Sequence, residues 1–325
     1  MNLSPRSWHL LTLLADGEFY SGEVLAQCLG VSRATVCNAL DEATQLDIGL
    51  QRVRGRGYRL SQPWQKLNHT KLIELLGDTA ARLTLDIQPQ ASSTNAVLLQ
   101  RVGIGALSGN VLAVELQTAG RGRLGRTWHS ELGNALTFSM LWRFNCGFNG
   151  LAGLSLAVGI AIVRAIDSLG IDSVQLKWPN DVLSPHGKLG GILLEARGDM
   201  FGPCAVVIGI GLNCFLPLEL ERRIDQPASA LNQLCTSLPD RNQLLAAILQ
   251  HLVVVLDSFA QHGFAPFRTE WESRHAQQNQ TITLNMPDGS QCVGIALGVT
   301  DTGELRLETA NGIKTYHSGE VGFCF

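Results

Sequence analysis

The chain has 325 residues, enough for two or three domains. Hydrophobic residues make up 45% and charged residues 16%, which excludes a disordered chain. The formal net charge of −3 excludes a chain that is basic throughout, so any nucleic-acid surface has to be local.

In chain order, the first 60 residues read as short helices followed by a small hairpin. Trp8, Leu11 and Leu14 share one helical face. The stretch SGEVLAQCLGVSRATVCNAL (21–40) gives two helix patterns divided by Gly30, with Ser21 and Ser32 as N-caps. Leu25, Leu29, Val31 and Val36 supply the buried positions, and Ala26 is small where two helices would cross. This is a helix-turn-helix pattern, with Ser32, Arg33, Thr35 and Asn38 opening the helix that would meet DNA. QRVRGRGYRL (51–60) then reads as a wing carrying Arg52, Arg54, Arg56 and Arg59. Arg54 and Arg56 beside its glycines are the expected DNA contacts. Five arginines and three acidic residues over 31–60 leave a local charge of only +2.

SQPWQKLNHT (61–70) reads as a linker. Beyond it SSTNAVLLQRV starts a helix capped by Ser93 or Thr94, and residues 110–118 and 135–144 are strands. Leu151, Leu154, Val158, Ile162, Ile166 and Leu169 form a helical stripe that packs on a sheet. SVQLKW, LGGILLEA and AVVIGIGLN are three more strands, and 241–260 is an amphipathic helix. From about 278, short alternating strands with turns at Asp288-Gly289, Thr302-Gly303 and Asn311-Gly312 give a small β-barrel-like unit. The expected class is α+β, divided at 1–65, 66–274 and 275–325.

The cysteines are Cys28, Cys37, Cys146, Cys204, Cys214, Cys235, Cys292 and Cys324. No C-x-x-C pair or zinc spacing occurs among them, which suits a reduced cytoplasmic setting. The start MNLSPRSWHLL lacks a signal-peptide shape. The longest apolar helix candidate, LAGLSLAVGIAIV, is interrupted at Arg164 and falls short of the roughly 20 residues a membrane span needs. No membrane partner is expected.

The stretch AGRGRLGRTW (119–128) matches G-x-G-x-x-G at Gly120, Gly122 and Gly125. A dinucleotide fingerprint needs a helix straight after these glycines, and here a Gly133-Asn134 turn and a strand follow instead. What remains is a mobile loop with Arg121, Arg123 and Arg126, suited to folding over a phosphate-bearing ligand and excluding water. KWPNDV (177–182) places Asn180 and Asp181 at a strand end. KLGGILLE (188–195) puts Lys188 beside a glycine pair where backbone can approach a ligand. In VIGIGLN (207–213), Gly209 and Gly211 leave one strand face bare, a slot for a flat apolar ligand, with Asn213 at its end.

In order and spacing, SSTN (92–95), QTAGRGRLGRTW (117–128), KWPNDV, KLGGILLE and VIGIGLN together resemble biotin–protein ligases, specifically the bifunctional kind that also represses the biotin operon. The flanking helical and β units extend the resemblance to nearly the whole chain. It implies a winged helix-turn-helix, a mixed-sheet ligase domain related to class II aminoacyl-tRNA synthetases and lipoate ligases, and an SH3-like barrel. It implies adenylation of the biotin carboxylate by ATP with Mg²⁺, then transfer to a lysine of the biotin carboxyl carrier protein of acetyl-CoA carboxylase. It also implies a ligand-linked homodimer on operator DNA of biotin synthesis genes.

By the same resemblance, Ser93, Thr94, Asn95, Gln117, Arg121, Gly122, Arg123, Lys188, Gly191 and Gly209 would surround biotin. Arg121, Arg123, Trp128, Asn180, Lys188 and Asn213 would meet ATP. Lys188 and Arg123 would stabilise the α-phosphate, and Asp181 would aid deprotonation of the acceptor lysine or hold Mg²⁺. The chain departs from the family at His129, where an aromatic stacking on adenine is usual. It also departs at Leu124, where a basic residue is usual, and after Gly319-Glu320, where no basic residue follows. Three alternatives stay open: a ligase without repression, a lipoate ligase, and a non-catalytic winged-helix sensor of a small acid.

Overall fold

The structure of the chain is a computed structural model that describes residues 2–322, so Cys324 lies outside the described residues. Ser4 accepts a hydrogen bond from the Ser7 amide and starts α1 (Pro5–Leu13), with Pro5 in the first turn. Ser21 and Ser32 cap α2 (Gly22–Leu29) and α3 (Arg33–Gln45) as expected, accepting from the Val24 and Thr35 amides. Gly30 between them is left-handed at φ 64°. A hairpin of β1 (Leu50–Val53) and β2 (Gly57–Leu60) follows. Leu10, Leu11, Leu14, Leu25, Val36 and Leu40 fill the core of this unit, with Leu29 and Val31 half-buried at its margin.

The central unit opens with α4 (His69–Leu76) and β3 (Thr84–Ala91), two elements that sequence reasoning missed. β3 is an edge strand containing Pro89, and a strand proline of this kind weakens the sequence signal. Then come α5 (Thr94–Gly103), β4 (Asn110–Gln117), β5 (Ala135–Phe144), α6 (Leu154–Ser168), β6 (Gln175–Lys177), β7 (Asp181–Ser184), β8 (Gly187–Gly198) and β9 (Cys204–Asn213). A short α7 (Leu218–Glu221) precedes α8 (Arg241–His262) and α9 (Arg268–Ser273). The sheet order is β3-β4-β5-β9-β8-β7-β6, with β3 parallel to β4 and the remaining neighbours antiparallel.

Alternation along the strands separates the two faces of this mixed sheet. Val111, Ala113, Phe138 and Met140 face α6 and α8. Leu112, Val114, Leu141 and Val207 face α5. α8 and the stretch Phe148–Ser168 are long and apolar enough to cross a membrane, but 61% of each apolar window is buried within the fold, as expected of core helices.

The C-terminal unit is a five-stranded antiparallel sheet of β10 (Thr281–Asn285), β11 (Gln291–Val299), β12 (Leu305–Thr309), β13 (Gly312–Tyr316) and β14 (Glu320–Val321), in the order β13-β12-β11-β10-β14. Its Ile282, Leu284, Leu305 and Val321 join the same core as α6 and α8. The Trp178 indole donates to the Gly303 carbonyl at 3.0 Å across that junction.

The 61–70 stretch is exposed at most positions, but two buried side chains anchor it. Trp64 and Leu67 are 4% and 7% exposed. Glu115 accepts from the Trp64 indole at 3.1 Å, the Leu67 amide at 2.6 Å and Arg241 at 2.6 Å. Arg241 also donates to the carbonyls of Gln65 and Ala135. The carboxylate is buried and is held by the charge and hydrogen bonds around it.

Candidate active site

The register of the central sheet sets out the floor of a cleft of about 720 Å³. Thr137 pairs with Gly211, Gly211 with Gly191, Gly191 with Asp181, and Asp181 with Lys177, so five strands contribute to one cross-strand row. The next row runs from Ser139 through Gly209 to Leu193. The β6–β7 hairpin turns through a cis Trp178–Pro179 bond, which sets Asn180 and Asp181 at the head of β7.

At one end the cleft has a polar pocket. Ser93 caps α5, so Thr94 and Asn95 in its first turn are buried against the sheet. The Thr94 amide donates to Gln117 Oε1 at 2.8 Å, and Thr94 Oγ1 lies 3.1 Å from the same oxygen. Ser139 Oγ lies 2.6 Å from both Thr94 Oγ1 and Asn95 Oδ1. Asn95 Nδ2 donates to the Leu193 carbonyl at 3.2 Å and to Glu195 Oε2 at 2.8 Å. The result is a preset array of donors and acceptors suited to a small ring with amide-like edges.

At the other end charge is concentrated. Lys188 Nζ is 2.7 Å from Asp181 Oδ1, and Lys177 Nζ is 4.0 Å from Asp181 Oδ2. Lys177 is 4% exposed, and burial pushes its pKa down to about 8, with Asp181 opposing the shift and Lys188 adding to it. Two ammonium groups around one carboxylate leave net positive charge, suited to phosphate.

The arginine loop lies across the top. Its backbone closes on itself through Gly122 N–H to the Arg126 carbonyl at 2.7 Å and a bridge between Arg121 and Thr127. Arg123 donates to Asn180 Oδ1 at 3.0 Å, and burial lowers its pKa against the raising influence of Glu320 and Asp181. Arg121 donates to Glu195 Oε2 at 2.8 Å, and Arg126 to Glu320 of the C-terminal sheet. In the structure the loop is a folded cover that meets the rest of the chain through these three side-chain contacts.

Most expected residues meet at this cleft: Ser93, Thr94, Asn95, Gln117, Arg121, Gly122, Arg123, Trp128, Asn180, Asp181, Lys188, Gly191 and Gly209 all line it. Asn213 does not. It is 6% exposed, donates to the Ser229 carbonyl at 2.9 Å and braces the loop after β9. The bare face of β9 is also not an empty slot. A Cβ on Gly209 would meet Asn95 Oδ1 at 2.2 Å, and one on Gly211 would meet the Trp128 ring at 2.4 Å. The missing side chains make room for Asn95 and the indole.

Asp181 turns its two oxygens to Lys188 and Lys177. No group of three His, Cys, Asp or Glu side chains suited to a metal occurs among the described residues. Mg²⁺ in such sites binds through one or two carboxylates and substrate phosphates, so here it would come with ATP rather than be held by a protein cage.

Sequence reasoning missed Lys177, Ser139, Glu195, the Ile224–Asp225–Gln226 segment on the cleft wall, and Asn285 of the C-terminal sheet. Lys177 sat in a recognised motif and could have been found there. Glu195 likewise closes the quoted KLGGILLE motif, whereas Ser139 lies inside an apolar strand and is placed only by register. His129 lines the rim beside Trp128.

Residues 87–213 match the Biotin/lipoate A/B protein ligase family and residues 279–323 the Biotin protein ligase C terminal domain. The chain is 37% identical over 313 residues to the bifunctional ligase/repressor BirA of Escherichia coli strain K12, covering 96% of this chain and 95% of that protein. It is 30% identical over 312 residues to the protein of the same name from Bacillus subtilis strain 168, covering 94% of each. Among solved structures it resembles the biotin protein ligase of Aquifex aeolicus in complex with biotin and ATP, with a TM-score of 0.62 at 28% identity over 74% of this chain and 97% of that one. A mixed sheet carrying this cleft, an antiparallel C-terminal sheet beside it and relatives matched from end to end agree, and the chain belongs to the biotin protein ligase family.

Proposed function

We propose that the chain activates biotin with ATP, transfers it to a lysine of the biotin carboxyl carrier protein of acetyl-CoA carboxylase, and represses biotin synthesis genes when loaded with biotinyl-5′-AMP. The observation that carries the ligase reading is the pairing in one cleft of a preset polar pocket with a lysine–aspartate–lysine cluster beneath an arginine cover. The pocket of Ser93, Thr94, Asn95 and Gln117 holds the biotin ring. Gly191 and Gly209 let the strands approach it, with Arg121 and Gly122 above.

A biotin carboxylate oxygen attacks the α-phosphorus of ATP, and the bond to the bridging oxygen breaks to release pyrophosphate. Lys188 and Arg123 stabilise charge gained by the α-phosphate, and Asn180 fixes Arg123. Mg²⁺ arrives with ATP as part of the substrate. Adenine packs at Trp128, with His129 beside it. The acceptor lysine amine, having lost a proton with help from Asp181, attacks the acyl carbon and expels AMP. The cover keeps water from the mixed anhydride between the two steps.

The protein acts in the cytoplasm. Its domains divide at 1–65, 66–274 and 275–325, the first a winged helix-turn-helix and the last an SH3-like barrel. α3 presents exposed Arg33 and Asn38, with Ser32 and Thr35 at its capped start, to the groove of operator DNA. Of the wing arginines, Arg52 is engaged with Asp41, Arg59 with Gln51 and Arg56 with the face of Phe19, which leaves the exposed Arg54 to meet phosphate with Arg56 beside it. Two copies joined on ligand binding read a two-half-site operator.

The test of the ligase reading is incubation with α-labelled ATP, Mg²⁺ and either biotin, lipoate or no acid, followed by separation of the nucleotides. A biotin-dependent acyl-adenylate is expected. An adenylate formed with lipoate instead would overturn the substrate assignment.

A further inference from the structure

Glu195 closes the KLGGILLE motif on β8, seven residues beyond Lys188, and the sequence gives it no role there. One of its oxygens, Oε2, accepts from both Asn95 Nδ2 and Arg121 Nη2, each at 2.8 Å. Asn95 is 3% exposed and belongs to the polar pocket, whereas Arg121 belongs to the cover. The carboxylate therefore joins the floor of the pocket to the loop above it through a single atom.

The bond to Asn95 also settles the orientation of its amide. Both Asn95 N–H groups are taken up within the protein, by the Leu193 carbonyl and by Glu195. Oδ1 is left beside Ser139 and over Gly209, 2.2 Å from where a Cβ on that glycine would stand. A carboxylate can only accept at these bonds when ionised, so Glu195 excludes the flipped amide. Asn95 thus offers an acceptor, and the ligand chemistry that fits is a ring N–H.

We propose that Glu195 is a positioning residue that orients Asn95 for the head group and, through the same oxygen, holds Arg121 so that the cover closes over an occupied pocket. This rests on the ligase reading above. The pair with Arg121 is partly exposed and would be weak alone. Its effect comes from sharing an atom with a buried amide, because movement of either partner disturbs the other.

The test uses the full chain as wild type, Glu195→Ala, Glu195→Gln, Arg121→Ala and the double variant Glu195→Ala/Arg121→Ala. Biotin-dependent pyrophosphate release gives KM for biotin and for ATP, and a chase with unlabelled ligand gives the rate at which labelled biotinyl-AMP leaves. Glu195→Ala should raise the biotin KM and the release rate about tenfold each, with the ATP KM within about twofold of wild type. Glu195→Gln keeps an acceptor without the charge and should fall between, and it carries the test where the alanine variant fails to fold.

The double variant should release adenylate no faster than the worse single. An unchanged biotin KM and release rate would overturn the proposal. So would effects that multiply in the double variant, or a rise in ATP KM equal to that for biotin. A wild type that forms no biotinyl-adenylate would overturn the ligase reading itself, and that result is read before any variant is compared.

Discussion

Lys188 and Lys177 share Asp181 but are not equivalent. Lys188 sits closer to the carboxylate and is more exposed, whereas Lys177 is deep enough for burial to bring its pKa to about 8. Replacing Lys188 with alanine removes a charge aimed at the reacting phosphate, so adenylate synthesis should fall by about 10²–10³-fold. The melting temperature should change little, and near-normal turnover in Lys188→Ala would remove its assigned role. Lys177 has a different signature. Its charge is present below about pH 8 and lost above, so kcat/KM for ATP, which reports the free enzyme, should decline through an apparent pKa near 8. Lys177→Arg keeps its charge and should lose that limb, and a limb unchanged in this variant would assign it elsewhere. The effect on stability has the opposite direction. Between about 8 and the ordinary 10.5 the unfolded chain binds more protons than the folded one, so the contribution of this lysine to stability rises with pH across that window.

The loop of residues 119–128 acts as one element because its arginines end on three different supports: Glu195 of β8, Asn180 before β7 and Glu320 of β14. Arg123 is the most buried of these ties and reaches the phosphate end of the cleft. Arg123→Gly should therefore leave adenylation measurable but let biotinyl-AMP escape, seen as free adenylate in a filtrate and as biotin on bystander lysines. Tight retention would count against the loop as a seal. The loop was legible in sequence because glycine and arginine in that alternation have few other uses, and β5 and β9 were legible because apolar runs end at turn residues. Register was not legible. Ser139 is a small polar residue in an apolar strand until its pairing with Gly209 puts it beside Asn95. Gly209 and Gly211 announced missing side chains, but their sequence could not say that Asn95 and Trp128 take the volume. α4 and β3 escaped because a short helix and a proline-bearing edge strand carry weak periodicity of their own and are stabilised by packing.

The N-terminal helices share a core with the strand that leads into the ligase site, and the C-terminal sheet lines the cleft itself. Glu115, on the strand that ends at Gln117 of the pocket, anchors Trp64, Leu67 and Arg241, and Leu116 and Leu132 complete the core of the N-terminal helices. A buried pair with this many bonds is costly to break, so Arg241→Ala should lower the unfolding free energy by about 3–5 kcal/mol in urea titration. The same joint makes removal of residues 1–62 a blunt test of DNA binding. The truncated chain should lose operator affinity, but it would also expose Leu116 and Leu132. A full-length variant separates the two effects. Arg54 is exposed at the hairpin tip, and Arg54→Ala should leave folding and adenylation as they are. If it meets phosphate, binding of a two-half-site duplex by the adenylate-loaded protein should weaken uniformly across sequences. The slope of log affinity against log salt should fall by roughly 0.9 for each phosphate that the variant no longer neutralises. Asn38→Ala, on α3, should instead relax sequence preference with the slope retained. If operator affinity and its salt slope survived both Arg54→Ala and removal of residues 1–62, the N-terminal unit would not be the DNA-binding surface, and repression would have to be read from another part of the molecule.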